Sequence, residues 1–220
     1  PPSSGAAIAH IGDSAGLHPR TTPRPSQGRP RDGPGPVGEQ TPGPWRSAVV
    51  HIEIWSDVVC PWCYIGKRRL EAALADFEHA DQVQVTWRSY QLDPSTPKDS
   101  AVSTVDYLGE KFPGGPAQVR EMMARTRGVA AEEGLEFHPE QIHSNTVDAH
   151  RLLHLAHEVG GDALQGDLKE ALFRTHFTEG RRVGDVAVLR EVAVAVGLDA
   201  GRVDGVLATD AYADAVQADI

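Results

Sequence analysis

The chain has two cysteines, and they stand three apart: Cys60-Pro61-Trp62-Cys63. A thiolate is both a nucleophile and a metal ligand, so such a pair does thiol–disulfide chemistry or supplies half of a metal site. The spacing suits the first. Residues three apart on a helix lie on one face about a turn from each other. A sulfur on Cys63 can therefore attack a mixed disulfide formed on Cys60. A helix start also offers unpaired N–H groups and the positive end of the helix dipole. Cys60 in that place is expected to titrate below the free thiol value of roughly 8.5. Pro61 and Trp62 set how well that thiolate is held, which tunes the redox potential. Pro61 removes one donor, and Trp62 sets an apolar surface beside the exposed sulfur. Zinc would need two further ligands. The best donors are His150, His154 and His157, at i, i+4 and i+7 of one helix face opposite Leu152, Leu155 and Val159. That face is expected to be solvated or to line a cleft, with no metal bound.

The elements around the pair fit this chemistry. Val50, Ile52 and Ile54 alternate with His51, Glu53 and Trp55, a short strand leading into the motif. Cys60 falls where an N-cap belongs, with Pro61 at the first helical position. Ile65, Leu70, Ala73, Leu74 and Phe77 then form an apolar stripe of a helix. Val83, Val85 and Trp87 alternate with Gln84, Thr86 and Arg88 in a second strand, expected parallel to the first. Asp93-Pro94-Ser95-Thr96-Pro97 ends regular structure. Helices are expected over 104–108, 117–133, 146–159, 162–175, 186–196, 201–208 and 210–218. Gly160-Gly161 separates the third from the fourth, and Asp185 and Gly197 cap the fifth.

Composition narrows the classes further. The formal net charge is −10, which disfavours nonspecific nucleic-acid binding. No apolar run is long enough to span a membrane. Residues 1–47 hold ten of the 16 prolines and almost no large apolar side chain. Such a segment buries too little to offset its ordering entropy, so it is expected to be a disordered tail. It lacks the apolar region of a secretory signal. Because the chain opens on Pro1 rather than Met, either residues are missing upstream or the start is assigned too far upstream; the abrupt onset of the globular pattern at Val49 favours the second.

Three separated stretches resemble one known family. They are Ser56-Asp57-Val58-Val59-Cys60-Pro61-Trp62-Cys63-Tyr64-Ile65-Gly66, Asn145-Thr146-Val147-Asp148-Ala149-His150-Arg151-Leu152, and Leu168 to Gly180. Together they resemble the DsbA-family thioredoxin-like oxidoreductases, nearest to the FrnE-like branch. The resemblance implies an α/β thioredoxin-like fold with a large helical insertion. It implies residues 48–98 as the first half of that fold and 99–220 as the insertion. It implies Cys60 as nucleophile and Cys63 as resolving cysteine. The family's cis-proline loop, strand hairpin and last helix have no counterpart before Ile220, so the chain is expected to be C-terminally truncated.

The expected function is a cytoplasmic thiol–disulfide oxidoreductase acting on proteins or small thiols through a mixed disulfide, without a cofactor. Tyr64, Asn145 and His150 are the candidates for the substrate cleft beside the pair. The alternative is a glutathione-dependent isomerase like the hydroxychromene-carboxylate isomerases, which the resemblance describes as typically lacking the paired cysteines. A zinc or redox-sensing module is the third reading.

Overall fold

The computed structural model describes residues 49–220; the expected tail over residues 1–47 lies outside them. The order of elements is β1 (Val50–Ser56), α1 (Pro61–Ala75), β2 (Val83–Ser89), α2 (Thr104–Lys111), α3 (Gly115–Glu132) and α4 (Val147–Phe173). A π-helical turn (Arg174–Thr178) then leads to α5 (Val186–Ala195), α6 (Ala200–Ala208) and α7 (Ala213–Asp219). β1 and β2 pair in parallel, from Val50 opposite Val83 to Ser56 opposite Ser89. A parallel pair needs a crossover, and α1 supplies it. The result is a mixed α/β, thioredoxin-like fold in which a small sheet is followed by a long helical region.

α4 organises the rest. Leu152, Leu155, Leu168 and Leu172 on this helix are buried with Val183, Leu189, Val203 and Val206 of the following segments, and Val58 joins them from the loop after β1. At roughly 1.5–3 kcal/mol per fully buried large aliphatic side chain, this cluster is the main source of stability for the helical region. A second cluster joins Tyr64 and Ile65 of α1 to Ala130 of α3, and to Phe137, Phe173 and Phe177. Its rings stack, with Tyr64 4.8 Å from Phe173 and Phe137 4.6 Å from Phe177 between centroids.

Two features of α4 differ from the sequence expectation. The two helices expected on either side of Gly160-Gly161 run as one element with a kink. Gly161 takes φ +64°, which interrupts the helical backbone without ending it. The histidine face is not solvated along its length. His150 is fully buried, and His154 is half-buried with a 3.1 Å hydrogen bond to Ser89 Oγ. Only His157 is exposed, beside Asp162. The reason is that α4 packs on both sides, against β2 as well as against α5 and α6.

Polar side chains of α4 also reach the sheet. Gln165 Oε1 accepts from Trp87 N at 2.9 Å, and its Nε2 donates to Trp87 O at 3.0 Å. One amide side chain thus satisfies both main-chain groups of a strand residue, as a neighbouring strand would.

Candidate active site

The loop from β1 into α1 puts both cysteines at one helix start. Cys60 N donates to Asp57 O at 3.2 Å, closing a tight turn. Cys60 then takes an extended conformation at the N-cap (φ −92°, ψ 113°), and Pro61 occupies the first helical position. Cys63 N donates back to Cys60 O at 3.1 Å, which places Cys63 inside the first turn. Both thiols are free, and both residues are half-buried.

Their surroundings differ. Cys60 lines a cavity of about 520 Å³ bounded by the first turn of α1 and by α2 and α3. Trp62, 56 % exposed, stands at its edge. Cys63 does not border the cavity and packs against the aromatic cluster of Tyr64, Phe137, Phe173 and Phe177.

The sulfurs are hydrogen-bonded to each other, so they titrate as a pair. The first proton leaves below the ordinary thiol range. Charge on Cys63 is held by the Cys60 S–H, then by the Ser56 hydroxyl, the Lys169 cation and the Asp57 main chain, against the cost of burial. The second proton is held well above that range. Cys60 donates to the Cys63 sulfur, it is buried, and a second charge would face the first. The N–H groups of Cys63 and Trp62 at the helix start oppose this. The sequence places the lowered value on Cys60 alone. The structure instead lowers Cys63, which the Cys60 S–H, Ser56 and Lys169 support, and raises Cys60.

Beneath the pair lies a buried polar network. Lys169 is 0 % exposed; its Nζ donates to Ser56 O at 2.9 Å and lies 5.1 Å from the Phe173 ring centre. Burial lowers its pKa to about 8, although Asp57 and the two sulfurs favour the cation. Asp57 Oδ2 accepts from Leu92 N at 2.8 Å, and Oδ1 lies 3.3 Å from His150 Nε2. Burial alone would raise the Asp57 carboxyl. The hydrogen bond with His150, the Leu92 N–H and the Lys169 charge outweigh it and hold the group below the usual carboxylate value. Burial also holds the His150 imidazole below its ordinary value, so it pairs with Asp57 as a neutral donor.

Three residues expected in the substrate cleft are elsewhere. Tyr64 is 2 % exposed within the aromatic cluster, and its hydroxyl donates to Glu170 Oε1 at 2.8 Å. Asn145 is buried: Nδ2 donates to Thr96 O at 2.6 Å, and Oδ1 accepts from Val147 N at the start of α4. His150 lies under the pair against Asp57. None of the three lines the cavity. Each is polar and near the motif, but each finds its partner inside the protein, where an unpaired polar group would be costly.

Other residues took their place without being singled out from sequence. Lys169 was detectable, because it stands four residues before Phe173 and three before Leu172 on the buried face of α4. A charge inside such a stripe needs a partner. Asp57, three residues before Cys60, gave no such signal. Among the described residues, no three His, Cys, Asp or Glu side chains are grouped so as to hold a metal ion.

Comparison with known proteins agrees with this geometry. The family described as DSBA-like thioredoxin domain matches residues 51–220. A probable DsbA oxidoreductase from Streptomyces coelicolor is 44 % identical, with a TM-score of 0.72 over 77 % of this chain and 72 % of that one. An uncharacterized Bacillus subtilis (strain 168) protein, YwbO, is 27 % identical over 168 residues, 75 % of each chain. A 2-hydroxychromene-2-carboxylate isomerase shares the fold at 13 % identity, with a TM-score of 0.54 over 77 % of each chain.

Proposed function

This chain belongs to the DSBA-like thioredoxin domain family, and from that premise we propose a thiol–disulfide oxidoreductase whose reacting atoms are the sulfurs of Cys60 and Cys63. The observation that carries the reading is their asymmetry: Cys60 opens on the cavity, and Cys63 packs behind it. In the reductive direction the Cys60 thiolate attacks a substrate disulfide. A Cys60–substrate bond forms, the substrate S–S bond breaks, and one substrate thiolate leaves. Cys63 then attacks the Cys60 sulfur and expels the second substrate thiolate. Two electrons pass from the dithiol to the substrate, and the reverse sequence oxidises a substrate dithiol. The shared S–H supports both steps. Passing its proton from Cys60 to Cys63 puts charge on the sulfur that faces the cavity. Ser56 and Lys169 later hold the charge that Cys63 needs for its own attack.

The test is to trap the intermediate. Cys63→Ser should accumulate a mixed disulfide with a disulfide-bonded substrate protein or small disulfide, one substrate thiolate leaving; Cys60→Ser should accumulate almost none, and both should fail to reduce insulin. Full insulin turnover by Cys60→Ser would end this reading.

A second reading is favoured by the cavity and by the fold shared with the isomerase: glutathione-dependent isomerisation of a small molecule at Cys60. No disulfide forms in that reaction, so Cys63→Ser would keep its turnover, and activity would require glutathione.

A further inference from the structure

The cavity beside Cys60 carries information about substrate. Its volume of about 520 Å³ lies within the roughly 300–1,000 Å³ of small-ligand pockets. Both methionines of the chain, Met122 and Met123, line it with Leu108 and Phe137. Such flexible thioether walls suit an apolar guest of variable shape. The charged groups around it are accounted for except one. Asp93 is held by Lys111 at 2.6 Å, and Asp57 is taken up by Leu92 N at 2.8 Å and His150 Nε2 at 3.3 Å. Arg127, on the cavity wall, makes no hydrogen bond or ion pair among the described residues. The wall it stands on also borders a second groove, whose Asp106 is held by Ser103 at 2.7 Å. A second residue of the same wall carries an unsatisfied group. His176 is 2 % exposed, lines the cavity, and its Nδ1 has no partner among the described residues. The π-helical turn places it there, a distortion frequent at functional sites.

We infer that this cavity seats a low-molecular-weight disulfide with an apolar body and a carboxylate, and that Arg127 reads the carboxylate. The inference rests on the oxidoreductase reading and names its substrate class. A guanidinium presents a planar fork that matches a carboxylate, and His176 supplies a further polar contact at the cavity wall. The reaction is the one described above. Cys60 attacks one sulfur of the small disulfide, RS⁻ leaves, Cys63 displaces the second RS⁻, and the dithiol supplies both electrons.

The test uses two aromatic disulfides, and the Arg127 variants separate the effect of charge from that of size. Dithiobis-nitrobenzoate carries two carboxylates, and dithiodipyridine is neutral at pH 7. Rates with pre-reduced protein are divided by those with a free small thiol, which removes intrinsic reactivity. The wild type should prefer the anionic reagent, with a rate that saturates with concentration. Arg127→Gln should lower that preference about 10-fold, equivalent to about 1.4 kcal/mol, leaving the neutral reagent and insulin unchanged. Arg127→Lys should recover only part of it, because an ammonium keeps the charge but not the fork. An Arg127→Gln protein with undiminished preference, or a wild type with none, would overturn the inference while leaving the oxidoreductase reading intact. A wild type inert toward insulin and both reagents would overturn that reading itself.

Discussion

Lys169 Nζ donates a 2.9 Å hydrogen bond to the carbonyl of Ser56, at the last residue of β1. The helical region thereby sets a buried cation under the two sulfurs, and that cation is one of the groups that lower the titration of the pair. The group beneath the motif thus comes from more than a hundred positions along the chain.

Lys169→Met should remove that support and keep most of the volume. The first thiol proton should then leave about one pH unit higher, and the reduction potential should fall by about 30 mV, because the reduced form loses about 1.4 kcal/mol. Titration of the thiolate ultraviolet absorbance checks the first and glutathione equilibration the second. Lys169 also has its own signature. Its pKa falls from 10.5 to about 8 on folding, so between those values the unfolded chain binds more protons, and this group makes stability rise with pH by up to about 3 kcal/mol. A Lys169→Met protein should lack that rise in urea titrations.

Asp57 should mark the acid side. Its folded value lies below the ordinary carboxylate value, so its contribution is present above about pH 4 and is lost as pH falls through the folded value. Asp57→Asn should flatten that part of the stability–pH curve. At neutral pH it should cost about 1–3 kcal/mol, the usual result of weakening the buried hydrogen bonds that the carboxylate makes with Leu92 N and His150. Identical acid unfolding curves for wild type and variant would remove Asp57 from this role.

Alkylation should separate the two sulfurs. Reduced protein treated briefly with iodoacetamide at mildly acidic pH should be labelled first on Cys60, which borders the cavity, and later on Cys63. Peptide mass mapping reads the order. Preferential labelling of Cys63 would reverse the assignment of nucleophile.

Trp62→Ala should change function more than stability. The ring is 56 % exposed, so unfolding free energy should move by no more than about 0.5 kcal/mol while turnover of substrates falls. Phe173→Ala is the contrasting control. That ring is 0 % exposed, and its loss should cost about 3–5 kcal/mol. A large stability loss at Trp62 would show that it packs as core.

Tyr64→Phe should do the opposite of a cleft substitution. It deletes the hydroxyl that donates to Glu170, at about 1 kcal/mol, and should leave insulin turnover unchanged. Glu170 keeps its ion pair with Lys67 at 2.6 Å. Lost turnover with unchanged stability would return Tyr64 to the substrate surface.

Some of this was legible in the sequence by itself. The motif, the alternating strands on either side and the N-cap position of Cys60 follow from local rules: helix starts, β-alternation and the fixed φ of proline act over a few residues. The caps of α5 are local in the same way, with Asp185 Oδ1 accepting from Ala187 N and Gly197 at φ +106° closing the end. The substrate-side residues were not legible. Tyr64, Asn145 and His150 have the polarity of cleft residues, and nothing local says that Glu170, Thr96 and Asp57 will satisfy them inside the fold. Lys169 and Arg127 look alike as residue types. One is buried under the sulfurs, and the other stands on the cavity wall with no partner among the described residues. Only the packing of α4 against β2, and of α2 and α3 across the mouth of the motif, decided which of the two charges is buried beneath the sulfurs and which lines the cavity. Burial and pairing depend on residues far apart in the chain, and periodicity reports only one element at a time.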